Sequence, residues 1–413
     1  MRLSSPQAVP WYFQLIVVFY ALHTSMPIVG FYTPAVVNAA VVLYLYLYLL
    51  LRNNKETIAD IKYILPIFSI YILSFLYEGA SHLVTYIYGI SQFFIYPLLA
   101  LYLLKNGDQK SIRRVFLIVG LSYMITGITT YYGCQIFPNA SRDIAAQLIS
   151  EDPEQYAMYM SYNIGSFSFI YTLILTLPLL IYIIRDKKIN MIIGLACIFI
   201  VVMTILASEY ATALLFLIVC LMVFFLPKYF GQKEIVWIMV GTVVLYVAGR
   251  QFFGHAFESL ANVVTSETVA DRFHNLAVVF SGETDNVDGD VESRMELYNL
   301  SIKAFFKSPL WGSSNATVGG HSFMLDNLGR YGLLGFIAMI IMYRRMFKVF
   351  FKPCAQQKWY GYICLLFLVA LAFAFLNPKD NLIVLTFIVP LFMASYKDCL
   401  LYTSPSPRDV EES

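Results

Sequence analysis

The chain has 413 residues, 59% of them hydrophobic and only 13% charged, with a mean hydropathy of +0.68. Soluble domains average roughly 45–50% apolar and about 25% charged, so an ordinary water-soluble globular protein is excluded. The net charge of +2 identifies no partner, because in membrane proteins the placement of charge matters more than its sum.

The apolar residues come in blocks long enough to cross a bilayer, for which about 20 residues suffice. The expected fold is an all-α polytopic membrane protein. Apolar runs between polar breaks give about twelve spans, near 11–30, 34–51, 62–79, 83–104, 115–134, 163–184, 190–207, 211–227, 234–249, 332–346, 359–376 and 381–396. The first lacks a small-residue cleavage site and is too long for a signal peptide, so it is expected to be retained. The seventh and eighth are joined only by the tight break "SEYA", Ser208–Ala211.

With the N-terminus in the cytoplasm, nineteen of the 28 Lys and Arg residues fall at cytoplasmic ends and eight outside, with Arg408 near the C-terminal end of the sequence. Clusters such as "KNGDQKSIRR" and "YRRMFK" all fall inside, as the positive-inside rule requires. Both ends of a single integral domain over 1–398 are then cytoplasmic, with extracytoplasmic loops at about 135–162 and 250–331. In the longer loop, "ESRMELYNLSIKAFFKSPLWG" carries Met295, Leu297, Leu300, Ile302, Phe305 and Phe306 at helical spacing. It predicts an amphipathic helix on or near the membrane surface, ended by Ser308-Pro309. The six cysteines lack CxxC pairing and read as small core residues. The segment Cys399–Asp409 matches the translation of a transposase-type sequencing adapter, so residues 399–413 are expected to be a non-native tail.

Residues 319–336, "GGHSFMLDNLGRYGLLGF", place His321, Ser322, Asp326 and Arg330 where a helix enters the apolar region. A histidine titrates near neutral pH and can serve as a general base, or as a hydrogen-bonded junction residue. Arginine binds phosphate bidentately without losing its charge. Arg294, Arg330, Arg272 and Arg142, on the outer side, are therefore candidates for holding a lipid-linked diphosphate, with solvated loop charge as the alternative for Arg272 and Arg142. Ser322 and Asp326 join them as substrate-binding candidates. No histidine pair has zinc-ligand spacing. The D-x-D within "DNVDGDVE" (Asp285, Asp288, Asp290, Glu292) reads as a solvated turn, so no metal and no cofactor are expected. Gly329, Gly332 and Gly335 recur at every third position, a spacing that predicts one small-residue stripe for close helix approach.

These residues carry a resemblance. His321-Ser322, nine residues, then Gly332-Leu-Leu-Gly335 resembles the H-[NSQ]-x9-G-x-x-G signature of the O-antigen ligase and Wzy-type polymerase superfamily. Arg294, the amphipathic helix and "SPLWG", with Pro309 and Gly312, resemble that family's upstream segment. The specific signatures cover about 294–335; the layout of about twelve spans with one large outer loop is similar over the whole chain. The resemblance implies a GT-C-like, metal-independent glycosyltransferase of the bacterial cytoplasmic membrane. It implies an undecaprenyl-diphosphate-linked glycan as donor, with a chain-length regulator and a flippase as partners beside the bilayer, and no nucleic acid. By the same resemblance Arg294 holds the donor diphosphate, His321 orients or deprotonates the acceptor hydroxyl, and Pro309, Gly312, Gly332 and Gly335 are structural. The family often has a second arginine after a serine at a mid-chain turn; here that turn reads Ser208-Glu209-Tyr210, so either Arg142, Arg250 or Arg272 takes its place or the donor is bound differently. Polymerase and ligase share the motif. The outer loop lacks an evident acceptor-docking surface, which favours polymerase. A flippase or exporter of lipid-linked sugars is the alternative of another class; it predicts charges within the spans, whereas here they gather outside them.

Overall fold

The structure is a computed structural model that describes residues 9–52, 54–77, 83–145, 152–208, 210–264, 270, 273–274, 277, 290–313, 318–350, 358–377 and 383–395. Among the described residues the protein is all-α, with no strand, and five helices are long and apolar enough to cross a membrane. They run over Ala35–Arg52, Tyr86–Leu104, Gln109–Ile136, Phe167–Arg185 and Phe323–Lys348, each on one of the expected spans. Shorter apolar helices occupy Ile64–Leu76, Met191–Ala207, Thr212–Phe225, Tyr360–Leu376 and Val384–Ser395. By packing, the chain divides into two compact units. Unit 1 is Met1–Ile125, Tyr331–Gln357 and Asn381–Ser413; unit 2 is Thr126–Arg330 and Lys358–Asp380.

Unit 1 begins with α1 (Trp11–Ser25) and α2 (Pro27–Tyr32). The expected span 11–30 is thus broken. Met26 is extended, at φ −118° and ψ 107°, because the Pro27 ring disfavours helical backbone before it and supplies no N–H. Helices α3 (Ala35–Arg52), α4 (Asn54–Tyr77) and α5 (Leu83–Asn106) pack in succession, and α6 (Gln109–Ile136) starts at a capped turn. There the Asp108 carboxylate accepts the Ser111 N–H at 2.8 Å and its hydroxyl at 2.7 Å, which holds the carboxyl below the usual carboxylate range. Where apolar surface faces lipid, burial supplies little drive between helices, so rings and hydroxyls do the joining. Phe13 stacks on Tyr48 at 4.1 Å, the Tyr48 and Tyr102 hydroxyls lie 3.2 Å apart, and Ser25 pairs with Ser122 at 2.9 Å.

Unit 2 holds α7 (Ala140–Ala145), α8 (Pro153–Ser161), α9 (Phe167–Arg185), α10 (Met191–Ala207), α11 (Ala211–Leu221), α12 (Gln232–Val263) and α13 (Asp290–Lys307). It also holds the start of α14 (Phe323–Phe350) and all of α15 (Tyr360–Leu376). Helix α12 runs well past the expected end at 249, into what the sequence suggested was loop. Helix α13 matches the expected amphipathic helix and stops before Ser308-Pro309. The core is α9, buried along nearly its whole length between α10, α11 and α15. Phe373 of α15 meets Tyr171 and Phe216 edge-on, each at 4.4 Å. At the end of α9, Arg185 donates to the Val223 carbonyl at 2.9 Å, the Leu226 carbonyl at 2.7 Å and the Tyr362 hydroxyl at 3.2 Å. It thereby ties α9 to the end of the 3₁₀ turn Met222–Phe225, where the Val223 carbonyl also accepts the Leu226 N–H at 3.2 Å.

Arg185→Met keeps the aliphatic stem but removes the donor of the Leu226 carbonyl and one of the two donors of the Val223 carbonyl, so a loss of about 1–3 kcal/mol is expected. Denaturant titration of the protein in mixed micelles measures it. An unchanged midpoint would show that the carbonyls find other donors.

Candidate functional site

The cluster picked out in the sequence is a real junction, and unit 2 builds it from three segments. The first is α13. Position 294 lies in its second turn, with Tyr298 and Ser301 four and seven residues further along the same helical face. The second is the chain entering α14. The third is the end of α15.

Helix α13 and the entering chain touch backbone to backbone. A Cβ at Gly319 would lie 2.0 Å from the Leu297 carbonyl oxygen, and one at Gly329 would lie 2.6 Å from that of Ser301. Only glycine fits at either place. Opposite Gly329, α13 offers Ser301 and Ala304, both buried small residues on an otherwise bulky helix. Ser301 is also the polar link. Its hydroxyl donates to Asp326 Oδ1 at 2.5 Å and accepts the Gly319 N–H at 3.0 Å.

Asp326 then gathers the turn around itself. Its Oδ1 also accepts the Gly320 N–H at 3.2 Å, and its Oδ2 accepts the Ser322 N–H at 3.1 Å. Gly320, at φ 73°, supplies the left-handed residue that the turn needs. The fully buried Ser322 caps α14 by accepting the Leu325 N–H at 3.2 Å. A carboxylate held at a helix N-terminus is also favoured by the helix dipole. Ser322 and Asp326, expected on the substrate, are therefore engaged in holding the junction itself.

The end of α15 closes the third side. The Tyr298 hydroxyl donates to the Leu376 carbonyl at 3.2 Å, and the Phe323 N–H donates to the Asn377 carbonyl at 2.8 Å. Asn377 is 4% exposed, and its Nδ2 has no hydrogen-bond partner. A buried donor left unpaired costs about 1–3 kcal/mol. Neither Tyr298, Ser301 nor Asn377 was singled out from the sequence. A small Ser/Ala pair on a bulky helix was the one legible signal.

His321 sits between Gly320 and Ser322, half-buried, and its ring bonds to no side chain or backbone group among the described residues. Arg330 is exposed in the last turn before a break in α14. That break is Gly332, at φ 61° and ψ −164°, so the expected continuous glycine stripe does not form. Each glycine has its own task instead. Gly329 admits α13, Gly332 turns the chain, and Gly335 leaves room for Tyr331, whose Cβ lies 2.3 Å from where a Gly335 Cβ would stand. Pro309 and Gly312 form the turn after α13, where Gly312, at φ 80°, bonds back to the Ser308 carbonyl at 2.8 Å. The following Ser313 N–H reaches the Gly329 carbonyl at 2.9 Å.

The other arginines are not part of this junction. Arg142, on α7, acts electrostatically on Tyr210, whose hydroxyl donates to the Ser141 carbonyl at 2.8 Å. Position 250 lies on α12. Arg272, Glu209, Asp285, Asp288 and residues 399–413 lie outside the described residues. Among the described residues no three His, Cys, Asp or Glu side chains converge as a metal site.

The architecture defines a class, an all-α protein with membrane-length apolar helices and a polar junction at the start of one of them. No known family model matches the chain, and no characterised protein matches it in sequence.

Replacing either partner of the Ser301–Asp326 pair should destabilise the junction, and the two changes should not add. A double-mutant cycle over Ser301→Ala and Asp326→Ala is expected to return a coupling of about 1–2 kcal/mol. A coupling near zero would mean that the pair does not hold the turn.

Proposed function

We propose that this chain is a membrane glycosyltransferase that polymerises undecaprenyl-diphosphate-linked repeat units into O-antigen, capsular or exopolysaccharide. The single observation that carries the reading is the convergence of α13, one turn beyond Arg294, with the turn that bears His321, at the mouth of a candidate membrane-crossing helix. The two residues needed for one transfer lie on segments that touch at Leu297–Gly319 and Ser301–Asp326, which supports the reading. In this reading a polytopic chain of about twelve spans, GT-C-like, presents the junction at the outer face of a bacterial cytoplasmic membrane.

The acceptor hydroxyl attacks the anomeric carbon of the donor sugar, and the bond from that carbon to the diphosphate oxygen breaks. His321 accepts or orients the hydroxyl proton. Arg294 stabilises the charge that develops on departing undecaprenyl diphosphate. Arg142 is the proposed second cation, because it stands beside Tyr210 at the turn where the family's other arginine is expected. No metal is required by this scheme.

The outer face of α13 supports a position at the lipid surface. Met295, Ile302 and Phe306 form one exposed stripe, which continues into Leu310 and Trp311, the latter 74% exposed. Lys303 and Lys307 flank it. Such a helix lies in the interface with its apolar stripe in the acyl boundary.

Reconstitution with lipid-linked repeat units tests the activity. A ladder of lipid-linked polymers without another acceptor is expected, and it should disappear with His321→Ala or Arg294→Ala at normal protein level. Product only after a second acceptor is added would indicate a ligase; bound glycolipid without transfer would indicate a flippase. For the surface helix, the tryptophan fluorescence lost in Trp311→Phe should be quenched by lipids brominated near the headgroup. Quenching of that component by aqueous iodide alone would place α13 in water.

A further inference from the structure

The end of α15 contributes more than packing to the junction. Around it, almost every polar group is matched inside the fold: Ser301 with Asp326 and Gly319, Asp326 with Gly320 and Ser322, Ser322 with Leu325. Asn377 departs from that pattern. Its carbonyl is fixed by the Phe323 N–H at 2.8 Å, two residues from His321. The neighbouring Leu376 carbonyl is fixed by Tyr298, one helical turn beyond Arg294. Yet its buried Nδ2 has no acceptor. Such a group calls for an explanation, and a bound oxygen acceptor is one that this position admits.

We infer that Asn377 is a substrate-binding residue whose amide donates to an oxygen of the bound lipid-linked donor. An amide N–H requires an oxygen acceptor. The lipid-linked donor offers two kinds, diphosphate oxygens and sugar hydroxyls. The inference rests on the reading of the junction as the seat of that donor and adds a residue to it. It follows that Asn377 is more important to the bound state than to the empty protein. In the empty protein the unpaired amide is a burden on the fold.

Thermal unfolding of the full-length protein in detergent separates these effects. The probes are undecaprenyl diphosphate, undecaprenyl monophosphate and a glycan-bearing undecaprenyl diphosphate. Asn377→Leu, of similar volume, should unfold at or above the parent temperature when no lipid is added. With lipid, its stabilisation should be smaller, matching roughly tenfold weaker binding for one lost hydrogen bond to a charged group. Asn377→Asp keeps the shape and should lose the stabilisation by diphosphate lipids outright. A loss seen with undecaprenyl diphosphate itself assigns the amide to the diphosphate; a loss seen only with the glycan-bearing lipid assigns it to a sugar hydroxyl. If the Leu variant unfolds well below the parent, the amide has a structural partner and the inference fails. It fails alone if both variants are stabilised as the parent is. It fails together with the proposed function if no undecaprenyl lipid stabilises the parent.

Discussion

The contact on which the junction depends is the close crossing of α13 with the chain that enters α14. Two glycines let the backbones meet, and a single hydroxyl, that of Ser301, bridges them by donating to Asp326 and accepting from Gly319. Everything nearby inherits its place from that crossing. Asp326 can bind Gly320 and Ser322 only because Ser301 fixes its carboxylate, and His321 stands between those two residues. Position 294 is tied to the same point through the rigid helix that carries Ser301. A carboxylate in such a spot would ordinarily need a cation. Here three neutral donors and a helix N-terminus serve instead.

The break at Gly332 is the second constraint. An unbroken helix from Phe323 to Phe350 would have its axis fixed by one set of neighbours. The first eight residues, Phe323–Arg330, belong to unit 2 with α13 and the end of α15. Tyr331, next to the left-handed Gly332, and the residues after it belong to unit 1, where Tyr331 stacks on Tyr71 at 4.4 Å and its hydroxyl lies 3.3 Å from that of Tyr86. The polar and apolar parts of α14 therefore answer to different contacts. That explains how so polar a turn can begin so apolar a helix.

Much of this was legible in the sequence, and the omissions have physical causes. Apolar runs located the long helices because hydropathy and length are properties of the residues themselves. The break at Met26-Pro27 leaves no trace in hydropathy, because a hydropathy window does not register a missing N–H. The glycines at 329, 332 and 335 were found but given one role. Spacing alone cannot reveal that the middle one has positive φ, and that single dihedral ends the stripe. The pairing of Ser301 with Asp326 spans 25 residues and depends on how α13 crosses the chain, which no local pattern encodes. Asn377 directly follows an apolar run and carries no motif, and only the fold shows that it is buried.

Charges and hydrogen-bonding groups in a low-dielectric lip are costly unless matched. A site there must divide its polar side chains into two sets, one matched within the protein and one left to be matched by a ligand. The first set gives rigidity, the second gives chemistry, and no group serves both fully. In this junction Ser301, Ser322 and Asp326 belong to the first set. The His321 ring and the Asn377 Nδ2, bracketing the start of α14, have no internal hydrogen-bond partner among the described residues. A turn kept only for structure would gain stability by converting both to apolar residues of the same size. Under the proposed function, these two groups beside an otherwise matched scaffold are the ones that a bound donor would complete.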